Sequence, residues 1–342
     1  MSGTSLDGVD LCEVIFNNTE DSWKFDILSA ETIPYSKEWI QRLKEGHRLS
    51  KTEILKLDQD YTALLSEIIL SFMEKISRVD LVCSHGHTIW HQPEKGFTYQ
   101  IGNLKLLREK LQTPVVCDFR TADVQLGGQG APLVPIGDRL LFANYEYCIN
   151  IGGFVNISFE DSRQRLAFDI CPANKVLNHY AEQLGFAYDE DGQISKEGKC
   201  NKHLLEKLNA LSYYHQNPPK SLGIEWVEKE IFPVIDSFNI NISDKMHTFC
   251  HHIAFQISKI IKGKNSVALF TGGGVYNSFL MRLIKEACPN VNVVIPNPQL
   301  IEYKEALIFG LLGVLKFRNE VNVLSSVTGA KHDHSSGVVF YD

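Results

Sequence analysis

The chain has 342 residues, enough for two domains or one large one, and 44% of them are hydrophobic, ample for a core. Lysine and arginine number 34 against 41 aspartates and glutamates, which argues against a nucleic-acid coat or a basic membrane surface. No apolar run reaches the ~18 residues of a transmembrane helix, no basic-then-apolar leader opens the sequence, and the eight cysteines stand singly without CxxC pairs. Reduced thiols and a cytoplasmic protein are therefore expected.

The first ten residues read MSGTSLDGVD. Ser2, Thr4 and Ser5 offer hydroxyls, Gly3 and Gly8 allow tight turns, and Asp7 and Asp10 offer carboxylates. Such a loop can wrap a phosphate with N–H and O–H donors while an Asp holds Mg²⁺ through water; a flexible polar terminus is the alternative. A loop of this kind follows a strand, so a strand is expected ahead of Met1 and a start that is cut short. Strands over 9–16 and 24–33 are expected to pair through 17–22. The spacing of Ile54, Leu57, Tyr61, Leu64, Leu65, Ile68 and Phe72 predicts a long helix over 50–76.

A short buried strand at 79–83 leads into SHGHTIWHQP, which gathers Cys83, His85, His87 and His91. A metal site is one reading; histidines lining a polar cleft is the other. Cys83, His85 and His87 share one face of an extended chain and converge poorly, and no second cluster accompanies them, so the cleft reading is preferred. A strand at 97–101, a helix at 103–111 and a strand at 114–117 follow. The last ends in Asp118-Phe119-Arg120. LGGQGAPLVP, residues 126–135, has three glycines, two prolines and no periodicity, as a cleft wall would. Arg120 and Asp123 suit a polar, partly anionic ligand, with a solvated charged turn as the alternative. A helix at 136–143 precedes a domain boundary at 144–146.

Residues 147–174 form the stretch around which the chain is organised. Strands are expected at 147–151 and 155–159, with Gly152-Gly153 supplying positive φ for a tight hairpin. A third strand at 165–168 ends in Asp169, and a helix follows over 175–184. The glycine N–H groups can converge on an anion. An ordinary hairpin with a helix-capping Asp is the alternative. Beyond it come a loop at 188–198, a helix at 204–213, a turn at 217–223 and a helix at 246–261, whose Phe-Cys-His-His patch, 249–252, reads as helix surface and core in preference to a metal site. The second strong signal is a strand at 266–270, then Thr271-Gly272-Gly273-Gly274, then a helix over 275–288. There the backbone can press against a nucleotide and the helix dipole can face its phosphates. Neither G-x-G-x-x-G nor the P-loop is matched. A strand at 291–295 and a helix at 303–317, with Gly310 and Gly313 for close packing, complete the pass.

MSGTSLDGVD, SHGHTIWHQP, DFR with LGGQGAPLVP, NIGGFVNIS, FTGGGVYNSFLM and SVTGA together resemble the motifs of the anhydro-N-acetylmuramic acid kinases. The resemblance runs from Met1 to about Ala330. It implies an α/β, two-domain actin-like ATPase (ribonuclease H-like) fold with an interdomain nucleotide cleft. Residues 1–143 would form the first domain and 144–324 the second, with 325–342 returning to the first. The implied activity is cleavage of the 1,6-anhydro ring by water with phosphorylation of O6, giving N-acetylmuramic acid 6-phosphate in peptidoglycan recycling. Asp169 would be the catalytic base. ATP would meet Ser2, Gly3, Thr4, Ser5, Asp7, Gly8, Asn150, Gly152, Gly153, Asn156, Gly272, Gly273, Gly274 and Asn277, with Mg²⁺ on Asp7 through water. The amino sugar would meet His85, His87, Arg120, Asp123, Gly128, Gln129, Gly130, Asn174 and Glu305. A homodimer without nucleic-acid or membrane partners is implied.

Three departures stand out. The family's Gly-Pro-Gly-Asn turn is here Cys171-Pro172-Ala173-Asn174, expected to restrict backbone approach at the phosphate. Leu222 and Ile224 replace a hydroxyl and a guanidinium, and Thr121-Ala122 follows DFR where the family has basic or polar residues. A catalytically weakened nucleotide-binding sensor or scaffold is therefore the second reading.

Overall fold

The computed structural model describes residues 1–3, 5–19, 22–76 and 78–341. Two compact units divide the chain: residues 1–141 with 303–342, and residues 142–302. The return to the first unit starts at Tyr303, not at residue 325 as expected. Packing along the helix Pro298–Phe317 explains the difference. From its second turn the helix meets groups of the first unit. Lys304 pairs with Asp138 at 2.7 Å, and Ile308 fills the space a Cβ of Gly137 would need. Phe309 meets Phe119 and His85 edge to face. A Cβ on Gly313 would sit 2.1 Å from Cys83 Sγ, so this close approach does require glycine.

The first unit contains β1 (Gly8–Thr19), β2 (Ser22–Pro34), β3 (Val82–Cys83), β4 (His87–Gln92), β5 (Phe97–Ile101) and β6 (Val115–Cys117). β1 and β2 pair antiparallel, as do β4 and β5. The helix Lys51–Met73 starts at a capping box, with Ser50 and Glu53 bonding each other's backbone N–H. Its buried face, including Ile54, Leu57, Tyr61, Leu65 and Ile69, anchors the core of this unit. Each such side chain taken fully from water stabilises by about 1.5–3 kcal/mol.

The second unit carries β7 (Tyr147–Ile151), β8 (Phe154–Asp161), β9 (Gln164–Pro172), β10 (Ser266–Thr271) and β11 (Val291–Val294) in the spatial order β11-β10-β7-β8-β9. β7, β8 and β9 run antiparallel, while β10 is parallel to both β7 and β11. An antiparallel meander extended by two parallel strands is the ribonuclease H-like sheet of the actin-like ATPases. The parallel pairs need helical crossovers. Helices including Asn174–Glu182 and Ile242–Ile260 provide the first, and Ser278–Ala287 the second. Back in the first unit, β12 (Val338–Phe340) pairs antiparallel with β6, whose other edge takes β3 in parallel.

Some elements differ from the sequence reading. Residues 188–198 are not loop: a 3-10 turn and the helix Gln193–Glu197 form there. The Asp189 carboxylate accepts from the N–H groups of Ile194 and Ser195, a helix start set by a residue well upstream. The strand expected at 79–83 is only Val82–Cys83. The helix after the Gly272–Gly274 run begins at Ser278, because Gly273–Tyr276 winds as a 3-10 turn.

Candidate active site

In the second unit the register of the meander assembles a polar row. Asn150 on β7 stands opposite Asn156 on β8, which stands opposite Asp169 on β9. Directly opposed residues share a face, so the three project together from a sheet otherwise lined by Ile149, Ile151, Val155, Ile157 and Ile170. A bulge between Val155 and Asn156 makes this possible by dropping Ile170 out of the pairing. Asn150 Nδ2 donates to Asn156 Oδ1 at 3.4 Å, and Asn156 Nδ2 donates in turn to Asp169 Oδ1. Asp169 Oδ2 accepts from the Leu222 backbone N–H at 2.8 Å. The Asp169 carbonyl accepts from Tyr213 Oη at 2.5 Å.

Burial pushes the Asp169 carboxyl above its ordinary pKa, against the two N–H donors that favour its ionised form. β9 continues to Pro172, so Asp169 lies within a strand and not at its end. It is no helix cap. Asn156 and Tyr213 hold it by their side chains, and Leu222 by a group that side-chain motifs do not reveal. The Leu222 contact is backbone, and the Leu for hydroxyl replacement leaves that donor in place.

The Gly152-Gly153 turn departs from expectation. Ile151 pairs with Val155, leaving three residues in the turn, and neither glycine has positive φ. Gly152 N donates to Phe154 O at 3.0 Å. The two glycine carbonyls accept from Ala173, Asn174 and Lys175 N–H at 2.9 to 3.2 Å, which ties the turn to the start of the helix Asn174–Glu182. A Cβ on Gly153 would lie 2.9 Å from Lys175 Cγ. Glycine is thus needed so that the exposed Lys175 can lie across the turn, a cation that sequence reasoning missed. The Cys171 and Ala173 side chains are fully buried in the core of this unit. Their Cβ atoms do not obstruct the turn's open side, contrary to expectation.

Thr271 on β10 pairs beside Asn150. Gly272 follows at φ +83°, and a Cβ there would meet Asn150 Oδ1 at 2.6 Å. Gly274 packs on Ile151, whereas a Cβ on Gly273 would have nothing within 4 Å. Asn277 is not an open donor: it is buried, and its Oδ1 caps the next helix by accepting from Leu280 N–H at 2.8 Å.

In the first unit the expected sugar residues divide. Arg120 Nε donates to His85 Nε2 at 2.8 Å and Nη1 to the Gly130 carbonyl at 2.7 Å. The Gly86 carbonyl accepts from His85 Nδ1 at 3.0 Å, which fixes the tautomer. Burial, reinforced by the Arg120 charge, drives the His85 pKa well below its ordinary value. Burial raises the Glu305 carboxyl, which Arg120 opposes, although the side chain keeps solvent contact. The guanidinium, conversely, is lowered by burial and supported by Glu305 and then Asp123.

Asp123 itself is 0% exposed. Its Oδ2 accepts from Gly130 N at 2.7 Å and its Oδ1 from Thr328 Oγ1 at 2.7 Å, with His334 Nε2 3.5 Å away. Asp123 shapes the glycine loop instead of offering an oxygen to a ligand. Gly128 packs against that carboxylate, and Gln129 is exposed.

His87 Nδ1 lies 2.9 Å from the buried Ser2 Oγ, which also bonds Tyr35 Oη at 2.7 Å. The Ser2 hydroxyl is therefore engaged with side chains inside the first unit. His91 Nδ1 meets Thr98 Oγ1 at 3.0 Å. The three histidines part company, and among the described residues no group of three or more His, Cys, Asp or Glu is gathered to hold a metal. Gly3 and Ser5 stand in the opening loop, and Gly8 packs on Ile33 O. Asp7 is exposed, with Oδ1 accepting from Ser5 Oγ and Gly8 N–H. Thr4 lies outside the described residues. Among those residues no helix is long and apolar enough to cross a membrane.

The family model described as anhydro-N-acetylmuramic acid kinase matches residues 1–342. Proteins of that name are similar in Mannheimia succiniciproducens, 32% identical over 99% of this chain and 97% of that one, and in Shewanella denitrificans, 33% identical over 96% and 94%. A solved structure titled an activator of the 2-hydroxyisocaproyl-CoA dehydratase from Clostridium difficile with bound ADPNP is 16% identical. It covers 87% of this chain and 97% of its own at a TM-score of 0.37, so the fold rests on the strand order above and not on this likeness. With the whole chain matched and relatives above 30% identity along nearly its full length, the chain belongs to the anhydro-N-acetylmuramic acid kinase family.

Proposed function

We propose that this chain is an ATP-dependent kinase that opens the 1,6-anhydro ring of anhydro-N-acetylmuramic acid with water and phosphorylates O6. The observation that carries the reading is Asp169, a half-buried carboxylate held by two N–H donors on the polar face beside the Gly272 turn. Water attacks C1, Asp169 takes its proton, and the C1–O6 bond breaks. O6 accepts the γ-phosphoryl group, and ADP leaves. The phosphoryl acceptor is the departing oxygen, so no separate acid is required. A carboxyl pKa raised by burial makes the base stronger.

Gly273, exposed and with open space around its Cα, would let a nucleotide lie against the backbone. Lys175, whose stem lies across the Gly152-Gly153 turn, would meet phosphate oxygens. Arg120 keeps Nη2 without a protein acceptor among the described residues, and the muramic carboxylate is an anion of suitable kind. The hard oxygen and exposure of Asp7 fit Mg²⁺ held through water, and the ion when bound would neutralise phosphate charge. The departures that favoured a weakened relative bury their side chains in the core at Cys171 and Ala173.

The test is mass spectrometry of products from ATP and anhydro-N-acetylmuramic acid in ¹⁸O-water. ADP should appear with a sugar phosphate carrying one ¹⁸O at C1. Phosphorylation without ¹⁸O would sink the ring-opening step, and no ADP would sink the kinase.

A further inference from the structure

Two imidazoles outside the candidate active site face each other across one helical turn. His247 and His251 lie on the helix Ile242–Ile260, four residues apart and hence on one face. Their Nε2 atoms are 3.2 Å apart. His247 Nδ1 is 2.8 Å from the Ser195 carbonyl oxygen. A carbonyl only accepts, so Nδ1 carries the hydrogen and Nε2 of the neutral ring keeps its lone pair. That lone pair is aimed at His251 Nε2.

A ring whose second nitrogen donates to a backbone carbonyl is how metal-bound histidines are usually oriented. Phe279 supports the pair, its ring centroid 4.8 Å from that of His247. The neighbouring charges are Arg282 and Glu286 on the helix Ser278–Ala287, which pair at 3.0 Å and act on His251 in opposite senses. The next residue, His252, is spent elsewhere: its Nδ1 meets Asn209 Oδ1 and its Nε2 meets Tyr214 Oη.

We propose that His247 and His251 bind a divalent transition-metal ion of the Zn²⁺ class through both Nε2 atoms, with solvent completing the shell. Borderline-soft ions take neutral imidazole readily, whereas Mg²⁺ prefers oxygen. The hydrogen now bridging the pair moves to His251 Nδ1 on binding, so no net proton is released. The ion clasps two turns of this helix and, through Ser195, stiffens the helix Gln193–Glu197. Two protein ligands give a modest affinity, and the site does not depend on the kinase reading.

The full-length protein is titrated calorimetrically with ZnCl₂ alone. One equivalent should bind, and His247→Gln and His251→Gln should each weaken binding about tenfold or more. His203→Gln, at a residue 87% exposed, should change nothing. Thermal melts check that the variants fold. A reading free of variants is the ¹H–¹⁵N spectrum of the unaltered protein, in which the imidazole signals of His247 and His251 should move together with Zn²⁺. Absent binding, affinity unchanged in both variants, or a Co²⁺ complex with thiolate charge-transfer absorption would each overturn the site.

Discussion

Aspartate and asparagine differ in charge but hardly in shape, which makes one substitution at Asp169 decisive. In Asp169→Asn the new side chain could accept from Leu222 N–H yet would turn an amide toward Asn156, so some local readjustment follows. Turnover should fall about 10²–10⁴-fold, the usual loss for a general base, while ATP and sugar still bind. Near-normal turnover would remove Asp169 from the chemistry. The pH behaviour has a definite sign. Because the folded pKa is raised by burial, the group adds stability only at low pH, and that contribution is lost as pH rises through the folded pKa. Asp169→Asn should therefore gain stability relative to the parent above that pKa and lose the advantage below it. The acid limb of kcat/KM should sit above the ordinary carboxylate value and vanish in the variant. Lys175 makes a different prediction. Its stem crosses the Gly153 turn, so Lys175→Ala should raise KM for ATP several-fold more than it lowers kcat. Equal effects on both, or none, would leave Lys175 a surface residue.

At the scale of elements, the loop over residues 126–135 is held by one buried carboxylate. Asp123 bonds Gly130 N–H and Thr328 Oγ1, and a Cβ on Gly128 would lie 2.2 Å from its Oδ2. Asp123 is wedged on both sides and cannot give. Gly128→Ala should cost about 1–3 kcal/mol by overpacking and raise KM for the sugar. An unchanged melting temperature in calorimetry would mean the loop has slack. This dependence also explains what the sequence hid. The strands over 147–172 were legible because apolar residues alternate there and the turn is marked by glycines. The expected helix-phosphate geometry after Gly274 was not, because the 3-10 turn and the Asn277 cap are set by packing on Ile151 and Gly192. The helix Lys37–Glu45 and the run from Ile224–Trp226 to Phe232–Asp236 escaped notice for want of a long periodic stripe. Asp169 was legible as a carboxylate beside a glycine turn. Its backbone donor at Leu222, 53 residues away, could not be read from side-chain identity.

Across the whole molecule, the end of the chain completes the first unit, and Asn322 is one of the side chains that fasten it. Asn322 is 0% exposed and uses both amide N–H groups and its oxygen in hydrogen bonds. Its Nδ2 donates to Leu312 O and Ser336 O, each at 2.9 Å, and its Oδ1 accepts from Ser336 N–H at 2.7 Å. Ser336 Oγ then donates to Phe119 O at 2.6 Å, beside Arg120, and β12 follows to close the edge of β6. His334, two residues earlier, reaches Asp123. Loss of this amide therefore loosens both the sheet edge and the loop wall. Asn322→Ala should leave buried polar groups unpaired at ~1–3 kcal/mol each, a large share of a domain's stability. Hydrogen exchange should quicken in 334–341 and in Val115–Cys117, while residues 142–302 keep the protection of the parent, because their core is built from other side chains. Substitution by Asp, which keeps the acceptor for Ser336 N–H but sets a charge against two carbonyls, should be worse than alanine. Exchange that quickened evenly over both units would show the tail to be a fastening for the entire chain and not for the first unit alone.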